Sequence, residues 1–197
     1  MDYATKLSQL IEDNHGIVTT EESEKNGIPR QYLSLFVKSD RLQRAMRGIY
    51  FSPEVFEDSM YMIHARSCKI IFSNETALYM HELTDRDPLQ YSVCVPRGYG
   101  TARLRESGLA VYTVKEEFHG IGKETMETIH GRDVFVYNKE RTICDCVRYR
   151  NRMDLNMLST ALKRYVENRQ KNLLLMMEYA KAFHIEKVVR QYMEVLL

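Results

Sequence analysis

Arg30, Gln31, Ser34 and Lys38 are side chains suited to nucleic acid, and their spacing puts them on one side of a single helix. Arg and Gln can make paired hydrogen bonds to guanine and adenine edges in a major groove. Ser34 and Lys38 suit phosphates or base edges. Leu33, Phe36 and Val37 recur at i, i+3 and i+4, so they mark the opposite, core-facing side. Just beyond follow Arg41, Arg44 and Arg47, three cations able to reach the phosphate backbone or an adjacent minor groove. Tyr32 suits either a sugar contact or internal packing.

Presenting these groups to a duplex requires a small rigid scaffold, and the flanking residues spell one out. Tyr3, Leu7, Leu10 and Ile11 have helical spacing, and Gly16 stops that helix. Ile17-Val18-Thr19 reads as a short strand. Thr19 and Glu22 have the spacing of a capping box, and Asn26-Gly27 ends the helix it opens. Pro29 is expected as the first residue of the next helix, where its missing N–H costs nothing. Leu42–Ala45 and Ile49–Phe51, around Met46-Arg47-Gly48, form a two-stranded wing. Residues 1–52 thus read as a winged helix-turn-helix, with a boundary at Ser52-Pro53.

Charge is sorted along the 197 residues although the total is only +1. Residues 1–24 carry a net −5, residues 25–51 a net +5, residues 52–138 a net −4 and residues 139–197 a net +5. A merely solvated surface gives no reason to gather six basic residues into one half of the small N-terminal domain. The alternative is a winged helix that docks a protein and has no specific affinity for DNA. Apolar residues make up 44% of the chain, enough for real cores. No apolar run approaches the roughly 20 residues of a membrane span, and Met1-Asp2-Tyr3 leads straight into an amphipathic helix without a signal-peptide pattern. Cys68, Cys94, Cys144 and Cys146 lack the spacing of a secreted disulfide framework, so a reducing cytoplasm is expected.

Residues 53–197 read as a small mixed α/β domain with a helical C-terminal part, which makes the chain α+β overall. A helix is expected over 54–72, with Val55, Met62, Ile63, Ile70 and Ile71 as core positions. Ser73 opens a short helix carrying Ala77 and Leu78, with Leu83 close behind. Strands are expected over 91–95, 109–114 and 134–137, with glycine-punctuated loops between them. Asn138 caps a helix, and from Asp154 three helical stripes run through Leu155, Leu158, Leu162, Tyr165 and Val166, then Leu173, Met176, Met177, Ala180 and Phe183, then Val188, Val189, Tyr192 and Leu196.

Catalytic chemistry finds little support. Cys144-Asp145-Cys146 is a lone C-x-C, and on a helix its thiols diverge by about 200°, so core cysteines are expected in place of a metal site. Pro96-Arg97-Gly98-Tyr99-Gly100 lacks a nucleotide-binding glycine pattern and reads as a loop. No catalytic residue, cofactor or metal is expected. One cationic region does stand out near the C-terminus, where Arg148, Arg150, Lys163, Arg164 and Lys181 offer a candidate second contact with an anionic surface, DNA or an acidic protein.

Several of these segments resemble one family. Ile17-Val18-Thr19-Thr20, Asn26-Gly27-Ile28-Pro29 and Arg47-Gly48-Ile49-Tyr50 look like the winged helix of AbiE-type antitoxins of bacterial abortive-infection systems. Ser73–Leu78, Leu83-Thr84-Asp85, Val95–Gly98 and Glu140–Asp145 resemble that family's second domain. The resemblance implies a bifunctional protein. Its winged helix would repress its own operon at inverted repeats in double-stranded promoter DNA, and its second domain would counteract a nucleotidyltransferase-like toxin. It also implies a type IV relationship, in which antitoxin and toxin need not form a stable complex. A monomer or weak dimer that pairs on DNA is expected.

Overall fold

Apolar spacing accounts for most of the elements in the computed structural model, which describes residues 2–54 and 58–196. The first half runs α1 (Tyr3–Asp13), β1 (Ile17–Thr19), α2 (Thr20–Lys25), α3 (Arg30–Lys38), β2 (Gln43–Met46), β3 (Ile49–Phe51), α4 (Ser59–His64), β4 (Ile71–Phe72), α5 (Asn74–Met80) and β5 (Ser92–Pro96). The second continues with α6 (Ala102–Glu106), β6 (Ala110–Val114), α7 (Glu116–His119), β7 (Lys123–Glu127), β8 (Asp133–Tyr137), α8 (Lys139–Arg148), α9 (Leu155–Glu167), α10 (Leu173–Ala182) and α11 (Glu186–Leu196). The class is mixed α+β, as expected.

The contacts divide the chain into two units. One comprises Met1–Cys68 with Glu127–Asp133, the other Lys69–Met126 with Val134–Leu197. The first unit therefore runs past the expected boundary at 52/53. Asp58 is the reason. Its buried carboxylate caps α4 at the Tyr61 N–H (2.9 Å), accepts from Thr128 Oγ1 (2.5 Å) and pairs with Arg132 (3.3 Å). Arg132 also donates to the His15 carbonyl at 2.8 Å, so the 127–133 turn is tied into the first unit.

The core of the first unit joins Leu7 and Ile11 of α1 to Val18, Ile28, Leu33, Phe36 and Leu42. Its sheet has the order β1-β3-β2, antiparallel throughout. The second unit holds a five-stranded mixed sheet, β6-β5-β4-β8-β7, in which β5 is antiparallel to β4 and parallel to β6, and β4 is parallel to β8. Behind it α8 is buried from Glu140 to Val147. The three expected C-terminal stripes pack there, through Leu158, Leu162, Tyr165, Met176, Ala180 and Val189, whereas Leu155 of the first stripe stays exposed because it opens α9 at the edge of the packing.

At the centre of that packing sits a charge. Arg141 has no exposed surface. Its guanidinium pairs with Asp145 at 2.8 Å and donates to the Phe118 and Ile121 carbonyls, each at 2.9 Å. It also lies 4.2 Å from the ring centroids of Tyr137 and Phe183. Beside it, Glu140 accepts from Tyr165 Oη at 3.1 Å and from the Asn172 N–H at 3.0 Å. Cys144 and Cys146 are fully buried in the same helix, where burial pushes both thiols well above their ordinary range and suppresses thiolate chemistry.

Some elements differ from expectation. Among the described residues of the helix expected over 54–72, only Ser59–His64 is helical, and Val55 lies outside the described residues. Ile71–Phe72 is a strand between β5 and β8, because a short apolar run bounded by polar residues fits a fully buried strand as well as a helix. The loop stretches hold two short helices, α6 and α7, and the strand β7. β7 is an edge strand of mostly exposed residues, Lys-Glu-Thr-Met-Glu, with no apolar alternation to announce it. Pro29 stands one place earlier than expected, at the N-cap of α3.

Two outcomes follow for stability. Asp145→Ala leaves the Arg141 guanidinium buried without its counter-charge and is expected to cost about 3–5 kcal/mol, measured by urea denaturation. A loss no larger than that of a surface substitution contradicts this role. Separately, burial holds the His81 imidazole below its ordinary pKa, a shift only partly opposed by its 2.7 Å bond to the Tyr137 carbonyl. The unfolded chain then binds the proton more tightly, so stability should fall as pH drops through about 6.5. His81→Gln should flatten the acid side of a melting-temperature profile.

Candidate nucleic-acid interface

Backbone satisfaction positions the helix that would read DNA. The Thr19 N–H donates to Glu22 Oε2 at 2.8 Å and the Glu22 N–H donates to Thr19 Oγ1 at 3.1 Å, closing the expected capping box at the start of α2. Gly27 takes a φ of +71° just past the end of α2, the left-handed turn that Asn26-Gly27 foretold. Pro29, at φ −63° and ψ 140°, then opens α3. Leu33 and Phe36 anchor α3 in the core.

Successive residues of an α-helix are about 100° apart. With Leu33 and Phe36 inward, the exposed arc of α3 centres on Gln31 and Lys38, and Ser34 and Leu35 flank that centre on either side. Arg30 falls at the margin of the arc, where it forms an ion pair with Glu24 of α2 through Nε and a second contact of 3.2 Å from Nη2 to Oε2. The four polar residues expected on this face are thus brought together, but Arg30 is engaged by a carboxylate. The sequence pattern did not single out Leu35. Its place in the arc follows from the same periodicity, but an apolar residue gives no polar signal.

The wing forms from β2 and β3, with Arg44 opposite Tyr50 and the tight turn at Arg47-Gly48. Gly48 has a φ of +82°, and its carbonyl accepts the Thr20 N–H at 2.8 Å, which ties the turn to the first residue of α2. Arg44 and Arg47 are exposed. A further cation adjoins the wing, since Arg66 Nε lies 3.1 Å from Met46 Sδ. Arg66 was hidden inside the helix expected over 54–72.

Arg41 has a different setting from the wing position expected of it. Its guanidinium lies 4.1 Å from the Phe36 ring centroid and donates to Ser8 Oγ of α1 at 2.8 Å. It braces α1 against the end of α3, because the chain turns at Asp40 (φ +55°) before entering β2.

The C-terminal cations do not make one continuous face. Arg164 donates to both carboxylate oxygens of Asp85 and, at 3.2 Å, to the Glu82 carbonyl. Arg148 lies 5.5 and 5.9 Å from the Tyr149 and Phe183 ring centroids. Both are drawn into local packing that a linear charge pattern does not reveal. Arg150 and Lys163 do come together, lining a groove of about 640 Å³ whose floor is apolar residues of α9 and α11. Lys181 is exposed on α10 and is not among the residues lining it. Among the described residues, no group of three or more His, Cys, Asp or Glu side chains could hold a metal ion, and no helix is long and apolar enough to cross a membrane.

Comparison with known proteins agrees with the winged unit. Residues 6–53 match the family described as "Transcriptional regulator, AbiEi antitoxin". No curated protein matches the chain at a significant level. Among solved structures, the chain is similar to the RV2827C protein from Mycobacterium tuberculosis, with a TM-score of 0.59 and 11% identity over 91% of this chain and 71% of that one. At that identity the likeness shows a shared fold. A trihelical core, a capped helix-turn-helix, a basic wing and the match to the AbiEi antitoxin family of transcriptional regulators all fall on the same residues, 6–53.

Proposed function

We propose that this protein is a DNA-binding antitoxin that represses its own operon in the bacterial cytoplasm and counteracts a nucleotidyltransferase-like toxin. The observation that carries the reading is the exposed arc of α3, where Gln31, Ser34 and Lys38 stand clear of the core, with Arg44 and Arg47 exposed in the wing of the same family-matched segment. Two copies on an inverted repeat would place their α3 helices in successive major grooves, about 34 Å apart. Gln31 would read a base edge, Ser34 and Lys38 would contact base edges or phosphates, and Arg44 and Arg47 would hold the backbone. Antitoxicity would belong to the part beyond the winged helix. There Arg150 and Lys163, which line one groove, would offer a second anionic contact.

Footprinting the purified protein on DNA upstream of its gene tests the reading. A protected inverted repeat is expected. A protein-docking adaptor would protect nothing at physiological salt, and that result overturns the reading.

Two variant sets separate the roles. Arg44→Ala with Arg47→Ala should weaken operator binding and reduce the salt slope by about two for each bound copy, whereas Arg41→Ala should leave the slope unchanged and lower stability by about 0.5–1 kcal/mol. A gel-shift salt series with parallel melts distinguishes them, and an unchanged slope in the double variant removes the wing from the interface. Gln31→Ala should cost about 1–3 kcal/mol on the operator and far less on random DNA. Equal losses on both contradict base reading by Gln31.

A further inference from the structure

Leu35 is one of eight exposed large hydrophobic residues among the described residues, and its place on α3 distinguishes it. It is a large apolar side chain, 52% exposed, flanking the centre of a polar helix face. Within residues 2–52, Tyr3 is the other large hydrophobic residue with comparable exposure, at 43%, and its ring packs 5.3 Å from Tyr32. Leu35 lies instead on the arc that would meet DNA, about 40° around the helix from Gln31 and four residues after it, so the two are neighbours on the surface. Ser34 occupies the equivalent position on the other side of the arc's centre.

We infer that Leu35 is a specificity-determining residue that reads the C5-methyl group of a thymine in the major groove. The inference rests on the DNA-binding reading above and deepens it. The chemistry is restrictive. The floor of the major groove offers donors and acceptors that a leucine cannot use, and one apolar group, the thymine methyl. Exposed Leu35 carries an apolar cost in the free protein that such a contact would offset. A polar residue there would have been the default for a surface helix. Gln31 beside it can bond an adenine edge, so the pair would suit a step that presents an adenine next to a thymine methyl.

The test uses the full chain and a duplex selected by it from a random-sequence library. Each thymine of the selected half-site is replaced in turn by deoxyuridine, which removes only the methyl group. The wild-type protein is expected to lose about fourfold in affinity at one thymine per half-site, the scale of one buried methyl group, and little at the others. Leu35→Ala, a surface change that the core does not feel, should bind the thymine and uracil duplexes equally at that position while keeping its salt dependence. Uracil tolerated at every position by the wild type overturns the inference and leaves DNA binding standing. The same uracil penalty in Leu35→Ala overturns it too. Failure to select any sequence overturns the DNA-binding reading, and this inference with it.

Discussion

A guanidinium with no access to water organises the second unit. Stripping an arginine of solvent costs several kcal/mol unless its donors and charge are met inside the protein. For Arg141 the compensating groups come from widely separated parts of the chain. Asp145 lies one turn along α8, the Phe118 and Ile121 carbonyls lie in and just after α7, and the rings of Tyr137 and Phe183 belong to β8 and the end of α10. Satisfying one side chain therefore sets where β8, α8, α10 and the segment after α7 meet. Even the backbone yields to it. A Cβ on Gly122 would sit 2.7 Å from the Cβ of Arg141, and Gly122 also has a φ of +71°, so both space and conformation require glycine.

The first unit relies on a smaller version of the same device. Asp58 and Arg132 are both buried, and between them they satisfy an α4 N–H, a threonine hydroxyl and the His15 carbonyl at the end of the first helical segment. Helix-turn-helix packing needs none of this, since its own core is apolar. The polar pair instead adds α4 and the 127–133 turn to a winged helix that would otherwise end near residue 52. In both units, then, apolar burial supplies the driving force and a paired buried charge specifies which segments come together.

Within the winged unit, α3 keeps its apolar packing residues and its exposed polar residues on opposite sides. Leu33 and Phe36 are committed to the core, and the remaining arc is left for contact. Tertiary structure then sorts the cations by role. Arg30 is held by Glu24, Arg41 stacks on Phe36, and Arg44 and Arg47 stay in the wing. Residues alike in sequence thus differ in what they can offer a phosphate. The C-terminal cations divide in the same way, since Arg164 and Arg148 are absorbed by Asp85 and by aromatic rings, whereas Arg150 and Lys163 share a groove.

What the sequence determined by itself is whatever depends on neighbours a few residues apart. The Thr19–Glu22 capping box, the Gly27 turn, the wing around Arg47-Gly48, the inward face of α3 and the C-terminal stripes are all products of local geometry and periodicity, and all are present. Other features depend on partners far away in the chain and emerge only once it has folded. Ile71–Phe72 became a strand because β5 and β8 flank it, and β7 exists because β8 pairs with it despite an unpatterned sequence. Arg41, Arg148 and Arg164 took up contacts that the linear pattern does not show, with Phe36, with aromatic rings and with Asp85. A long cation has enough reach to choose among several partners, and a linear pattern of charge does not show which of them the fold will bring within range.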